Sequence, residues 1–63
     1  ETYSINLVQL DHDLVSNLFI VVNSPSHILI ALLFSRTKLA VVDENSTCLV
    51  YSLNNNELLF QVK

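Results

Sequence analysis

Apolar residues are gathered in six short runs along the chain, and polar residues are gathered between them. The runs are rich in β-branched and aromatic side chains, and each is bounded by turn-forming residues. Short runs of this composition are typical of strands. The pattern therefore predicts six strands, at residues 5–10, 18–22, 28–34, 39–42, 47–53 and 57–62.

The polar separators contain no glycine, because the whole chain has none. Glycine is the usual residue where a turn needs a positive φ angle. Asn and Asp also tolerate the left-handed conformation and bond to their own backbone, so we expect them to replace glycine. Between the fourth and fifth strands, we expect Asp43 and Asn45 to form a structural turn. Asp43 should bond backbone amides across this turn, with Glu44 solvated.

The run at residues 28–34 has a helical alternative, with Ser24 or Ser26 as the N-cap after Pro25. The run is short and apolar on every side, so its periodicity does not separate a strand from a helix. The strands predicted on both sides of it favour a strand.

The runs between residues 28 and 42 do not alternate between polar and apolar positions. A sheet with one solvated face alternates, whereas strands covered on both faces are continuously apolar. The separators have the length of hairpin turns, so we expect antiparallel strands. Stacked antiparallel sheets, as in a β-propeller, combine these features.

A weak internal repeat agrees with a propeller. Leu-Val at residues 7–8 recurs at 49–50, and Leu-Phe at 18–19 recurs at 59–60. The two dipeptides bracket a polar turn in both places, at a spacing close to the 40–45 residues of a propeller blade.

We therefore expect an all-β fold of about one and a half blades of a β-propeller, built from four-stranded antiparallel sheets. Residues 1–23 would end a preceding blade, and residues 24–63 would form one complete blade. One and a half blades do not close a ring, and they leave apolar faces exposed. The sequence is therefore predicted to be a fragment of a larger chain.

Composition argues against several functions. With a net charge of −3 and only three basic residues, the chain has no basic patch for nucleic acid. Its apolar runs are far shorter than the roughly 20 residues that span a membrane. A single cysteine and two distant histidines provide neither a disulfide nor a zinc site. We expect no metal, no cofactor and no small-molecule substrate.

Two polar groups could carry chemistry, and each has a simpler interpretation. Asp11, His12 and Asp13 could bind a metal or transfer protons, but a polar hairpin turn explains them. Cys48 has no neighbouring base that would activate it, so we expect a buried structural thiol. No catalytic residue is predicted.

The segment at residues 34–61, "FSRTKLAVVDENSTCLVYSLNNNELLFQ", resembles a WD40 repeat. Phe34 and Ser35 lie where such repeats close their innermost strand, and Tyr51 and Ser52 lie at the Trp-Asp position. The segment is also similar to the WD-repeat subunits of intraflagellar transport complex A. Ser52 stands where the family has aspartate, and the glycine-histidine pair of many repeats is absent. The side-chain network that stiffens many blades is therefore not expected.

The resemblance implies a non-enzymatic scaffold located in the cilium and cytoplasm. Its partners would be other intraflagellar transport subunits and cargo proteins, in retrograde transport and in the entry of membrane proteins to the cilium. A generic WD40 adaptor of a coat or sorting complex is the alternative. An enzyme or a free-standing secreted β-domain is a third hypothesis, and exposed strand edges argue against it. No partner-binding residue is predicted, because the rim loops are the parts least matched to the family. The step from a propeller to transport rests on sequence likeness alone, since fold does not define function.

Overall fold

The chain forms six strands and no helix. The computed structural model describes the backbone of residues 1–63, and the side chains of all of them except residue 11. The all-β prediction is confirmed, and residues 28–34 lie in a strand. No described segment is a helix that could cross a membrane. The strands are β1 (Thr2–Asp11), β2 (Leu14–Asn23), β3 (Ile28–Ser35), β4 (Lys38–Asp43), β5 (Cys48–Ser52) and β6 (Leu58–Val62).

The strands form two antiparallel sheets. β1 and β2 make a two-stranded hairpin, and β3, β4, β5 and β6 make a four-stranded sheet in sequential order. This is the division into two and four strands that the sequence predicts, and it is compatible with part of a WD40 blade. Residues 24–27 connect the two sheets.

The hairpin is longer than predicted, and its turn is shorter. His12 and Asp13 form the whole turn, with φ angles of 49° and 65°. Two successive left-handed residues are typical of a type I′ turn, whose twist matches that of the paired strands. Ser16 and Asn17, which the sequence pattern assigns to the turn, instead lie in β2. Their polar side chains fit there because both are exposed.

The core lies where one face of the hairpin packs on one face of the four-stranded sheet. Successive side chains of a strand point to opposite faces, so alternate residues contribute. In β4 the alternation is regular, with every second residue buried. The buried members of the core are each at most 4% exposed: Ile20, Val22, Leu39, Val41, Leu49 and Tyr51.

The opposite face of the four-stranded sheet is also apolar, and the side chains of its edge strands are exposed although Val50 in its middle is buried. Its edge strands β3 and β6 present four large side chains that are 51–63% exposed, namely Ile30, Leu32, Phe60 and Val62. Their partners in the register, Val42, Ala40, Val50 and Cys48, alternate with core residues of β4 and β5. We call this surface the outer face. It is the structural counterpart of the predicted strands with two apolar faces.

Candidate protein-binding site

The turn between β4 and β5 is organised by a buried carboxylate. Asp43 is 3% exposed, and its Oδ1 accepts hydrogen bonds from the backbone amides of Asn45 and Thr47, each at 2.9 Å. The backbone amide of Asp43 also donates to the carbonyl of Thr47 at 3.0 Å. Asp43 Oδ1 therefore holds the turn that follows β4.

The left-handed residue of this turn is Ser46, with a φ angle of 62°. The sequence pattern assigned the glycine-like conformation to Asp43 and Asn45, and in this respect the prediction is wrong for both residues. Ser46 lies between Asn45 and Thr47, the two residues whose backbone amides donate to Asp43 Oδ1. The exposed side chain of Asn45 has a different contact, since its Nδ2 donates to Ser26 Oγ at 3.1 Å.

Residues 23–27 are bonded to the four-stranded sheet by three hydrogen bonds, which we call the clasp. The backbone amide of Glu44 donates to the carbonyl of His27 at 2.9 Å. The bond from Asn45 to Ser26 is the second. The third runs from the Tyr51 hydroxyl to the carbonyl of Asn23 at 2.8 Å. The clasp thus joins the end of the hairpin to both β5 and the turn that precedes it.

The polar groups of the connection that carries the clasp are themselves hydrogen-bonded. Ser24 is 1% exposed, and its Oγ donates to the carbonyl of Ser26 at 2.7 Å. The backbone groups of Ser24 also exchange two hydrogen bonds with Glu1, each at 2.8 Å. No buried side-chain polar atom lacks a partner among the residues that the structure describes. These hydrogen bonds fix the geometry of the connection between the two sheets.

Two tyrosines at this junction act as hydrogen-bond donors. The Tyr3 hydroxyl donates to Glu1 Oε2 at 2.7 Å and lies 3.2 Å from His27 Nδ1. The hydrogen bond to the Glu1 carboxylate raises the pKa of Tyr3, because only the protonated phenol can donate it. Burial raises the pKa of Tyr51. Both phenols therefore stay neutral around pH 7.

The other candidate residues are spread apart. Cys48 is a free thiol and is half-buried on the outer face, so the prediction that it is buried is wrong. His12 and Asp13 lie at the hairpin turn, and the side chain of Asp11 lies outside the described residues. His27 is exposed in the connection between the sheets. Within the described part of the chain, no group of three His, Cys, Asp or Glu residues could hold a metal ion.

The hairpin and the sheet diverge on the side away from the clasp and leave an open cleft of about 800 Å³. Its apolar walls come from β2, β3 and the residue after β5, and its polar rim includes the turn between β3 and β4. The walls include Leu18, Leu33, Phe34 and Leu53, and the rim includes Gln9, Arg36 and Asn54.

Sequence reasoning identified none of these residues as a binding site. The cleft is formed by residues far apart in the chain, so no local spacing indicates it. The one sequence signal is the adjacency of an apolar strand end, Phe34, and a cation, Arg36, in a chain with three basic residues.

The chain is similar to intraflagellar transport proteins over part of its length. It is 74% identical over 27 residues to the intraflagellar transport protein 122 homolog of Mus musculus, and to the same extent to that of Homo sapiens. The homolog of Danio rerio is 63% identical over a span of the same length. In each case the match covers 43% of this chain and 2% of the relative. No family model and no solved structure matches the chain.

Proposed function

We propose that this chain is part of a β-propeller in a non-enzymatic scaffold subunit of intraflagellar transport complex A. The observation that carries this proposal is the 74% identity to the mouse and human relatives, whose names place them in intraflagellar transport. An identity of this size over 27 residues is specific, although it concerns a small part of each relative.

In this proposal, residues 1–23 end one blade and residues 24–63 form the next. The sequential antiparallel order of β3 to β6 fits one blade. The hairpin that packs on its inner side fits the last two strands of the preceding blade. The exposed outer face fits a surface that a following blade would cover, because isolated proteins rarely leave such a patch to solvent.

The proposed subunit works by binding and holds no catalytic group. Its partners are other intraflagellar transport subunits and cargo proteins, bound through the shape of propeller rims and loops. The proposed location is the cilium and cytoplasm, and the proposed processes are retrograde transport and the entry of membrane proteins to the cilium. A propeller of this kind needs no cofactor.

The covering of the outer face is tested by a matched pair of substitutions in the full protein that contains this chain. Ile30→Asp places a charge on the outer face, and Leu14→Asp places one near the hairpin turn. Both side chains are exposed in this chain, by 63% and 72%. A following blade would bury the side chain of Ile30, so we expect faster amide hydrogen exchange in β3 and β4 of the first variant only. Equal exchange in the two variants would contradict a covering blade.

The functional assignment is tested by purifying the tagged full protein from ciliated cells. We expect subunits of intraflagellar transport complex A to co-purify, and the tagged protein to be concentrated in cilia. Co-purification with coat or sorting subunits in their place would favour a generic WD40 adaptor and overturn the ciliary assignment.

A further inference from the structure

The cleft between the hairpin and the sheet has a single cation at its rim. Arg36 is exposed in the two-residue turn between β3 and β4. Its guanidinium has no ion pair or hydrogen bond with the side chains that the structure describes. The neighbouring cation, Lys38, lies outside the cleft, and its Nζ is 3.5 Å from Thr37 Oγ1. Arg36 is therefore available to a ligand.

The walls beside Arg36 are apolar and incompletely covered. Leu18, Leu33 and Leu53 are half-buried, and Phe34 is 52% exposed. The volume of about 800 Å³ is within the range of cavities that bind ligands, about 300–1,000 Å³. A ligand with apolar side chains would remove further apolar surface of these residues from water, which is favourable.

We propose that this cleft binds an internal peptide segment of a partner protein in which the side-chain carboxylate of an Asp or Glu residue stands beside large apolar side chains. The apolar side chains would contact Leu18, Leu33 and Leu53, and the carboxylate would accept hydrogen bonds from Arg36. A planar guanidinium matches a carboxylate with two parallel hydrogen bonds. Gln9 and Asn54 also line the cleft, and their side-chain amides would bond the peptide backbone.

The charge of the chain makes this recognition local. A net charge of −3 gives no long-range attraction for an acidic ligand, so the affinity has to come from contact with Arg36 and the apolar walls. The residues that line the cleft all belong to this chain. The proposal therefore does not depend on which complex the full protein serves.

The test uses fluorescence anisotropy with the full protein and a labelled hexapeptide, Ser-Leu-Asp-Leu-Phe-Ser, blocked at both ends. A second peptide has asparagine in place of aspartate. A third keeps this asparagine but has a free C-terminal carboxylate. We expect saturable binding of the first peptide, and about five- to tenfold weaker binding of the second and the third. Tighter binding of the third peptide than of the first would show that the cleft takes a chain terminus and would overturn the proposal.

Two pairs of protein variants locate the binding. Arg36→Gln should weaken binding of the first peptide about five- to tenfold. Lys38→Gln removes an equal charge outside the cleft and should leave the affinity for this peptide unchanged. Phe34→Ser should also weaken binding, whereas Leu14→Ser, at an exposed residue outside the cleft, should not. Thermal unfolding of each variant checks that the fold is kept.

The proposal is also overturned if the first peptide does not bind saturably, or if the first and second peptides bind equally. A further contradicting outcome is that the Arg36→Gln and Lys38→Gln variants bind the first peptide with equal affinity. These outcomes leave the proposed transport function intact, because co-purification with ciliary subunits is measured separately.

Discussion

The two ends of the first hairpin have the same strand pairing and very different surroundings. We call residues 2–7 and 18–23 the root and residues 8–17 the tip. β1 and β2 pair without interruption from Thr2↔Asn23 to Asp11↔Leu14. At the root, Ile20 and Val22 are 4% and 2% exposed, whereas at the tip, Leu10 and Leu14 are 73% and 72% exposed.

The difference shows that pairing and burial have separate causes in this chain. The two-residue turn sets the register of the whole hairpin, because its twist matches that of the strands. Burial depends on the four-stranded sheet, which the clasp holds against the root. The tip extends beyond this contact, and the cleft opens beside it.

The largest expected effect comes from shortening one side chain at each end. Ile20→Ala at the root should lower the local free energy of unfolding by about 2–5 kcal/mol, because it leaves a cavity in the core. Leu14→Ala at the tip should change it by no more than about 0.5 kcal/mol. Amide hydrogen exchange of β2 and β5 in the full protein measures both. Similar losses in the two variants would show that the tip is also packed.

The next effect concerns the turn that supports the clasp. Asp43→Ala should lower the free energy of unfolding by about 1–3 kcal/mol, because two backbone amides lose their buried acceptor. Exchange should then also rise in residues 23–27, which are bonded to Glu44 and Asn45. Glu44→Ala removes an adjacent, exposed carboxylate and serves as the control, with an expected change within about 0.5 kcal/mol. Equal effects of the two variants would refute the role of Asp43.

The sequence predicted the strands well, because the apolar runs and polar separators record which residues can lie in a sheet. It also indicated that strands would have two apolar faces, and Val41 in the core and Ile30 on the outer face are examples. It did not predict that Ser16 and Asn17 lie in β2. Polar residues at an exposed hairpin tip have the composition of a turn. Only the pairing register shows that they continue the strand.

The sequence did not predict the cleft beside Arg36 for a related reason. Arg36 reads locally as a solvated turn residue, and Leu18 and Leu53 read as ordinary strand residues. Their association depends on the angle at which the hairpin crosses the sheet, which no local pattern records. The left-handed conformation of Ser46 was also not predicted. Ser46 lies between the two residues whose amides donate to the Asp43 carboxylate.

A smaller effect is expected from the hydroxyl that joins Tyr51 to the root. Tyr51→Phe keeps the packed ring but removes the donor to the Asn23 carbonyl. We expect a loss of about 1 kcal/mol, with faster exchange at the root than at the tip. The matched variant is Tyr3→Phe, whose hydroxyl bonds Glu1 at the exposed end of the same junction. Its expected loss is smaller, and a larger loss than in Tyr51→Phe would contradict the clasp.

The Tyr51→Phe variant also tests how the stability of the protein depends on pH. Burial raises the pKa of Tyr51 above its ordinary value of 10.0, so the folded state binds the phenolic proton more tightly than the unfolded chain. Its contribution to stability is fully present below the unfolded pKa and is lost as the pH rises through the folded pKa. The free energy of unfolding, measured with denaturant from about pH 9 to about pH 11, should therefore fall less steeply with pH in Tyr51→Phe than in the unmodified protein. Parallel curves would contradict a buried, neutral phenol.

The smallest expected effect acts on the tip alone. Asp13 adopts a φ angle of 65°, where glycine has no steric penalty and is common in type I′ turns. Asp13→Gly should therefore slow amide exchange at the tip by an amount equivalent to about 0.5 kcal/mol, without changing exchange at the root. Ser16→Gly introduces the same residue in the extended part of β2 and should destabilise the tip instead. If Asp13→Gly also slowed exchange at the root, local pairing and packing against the sheet would be coupled, and the root and the tip would unfold as one unit.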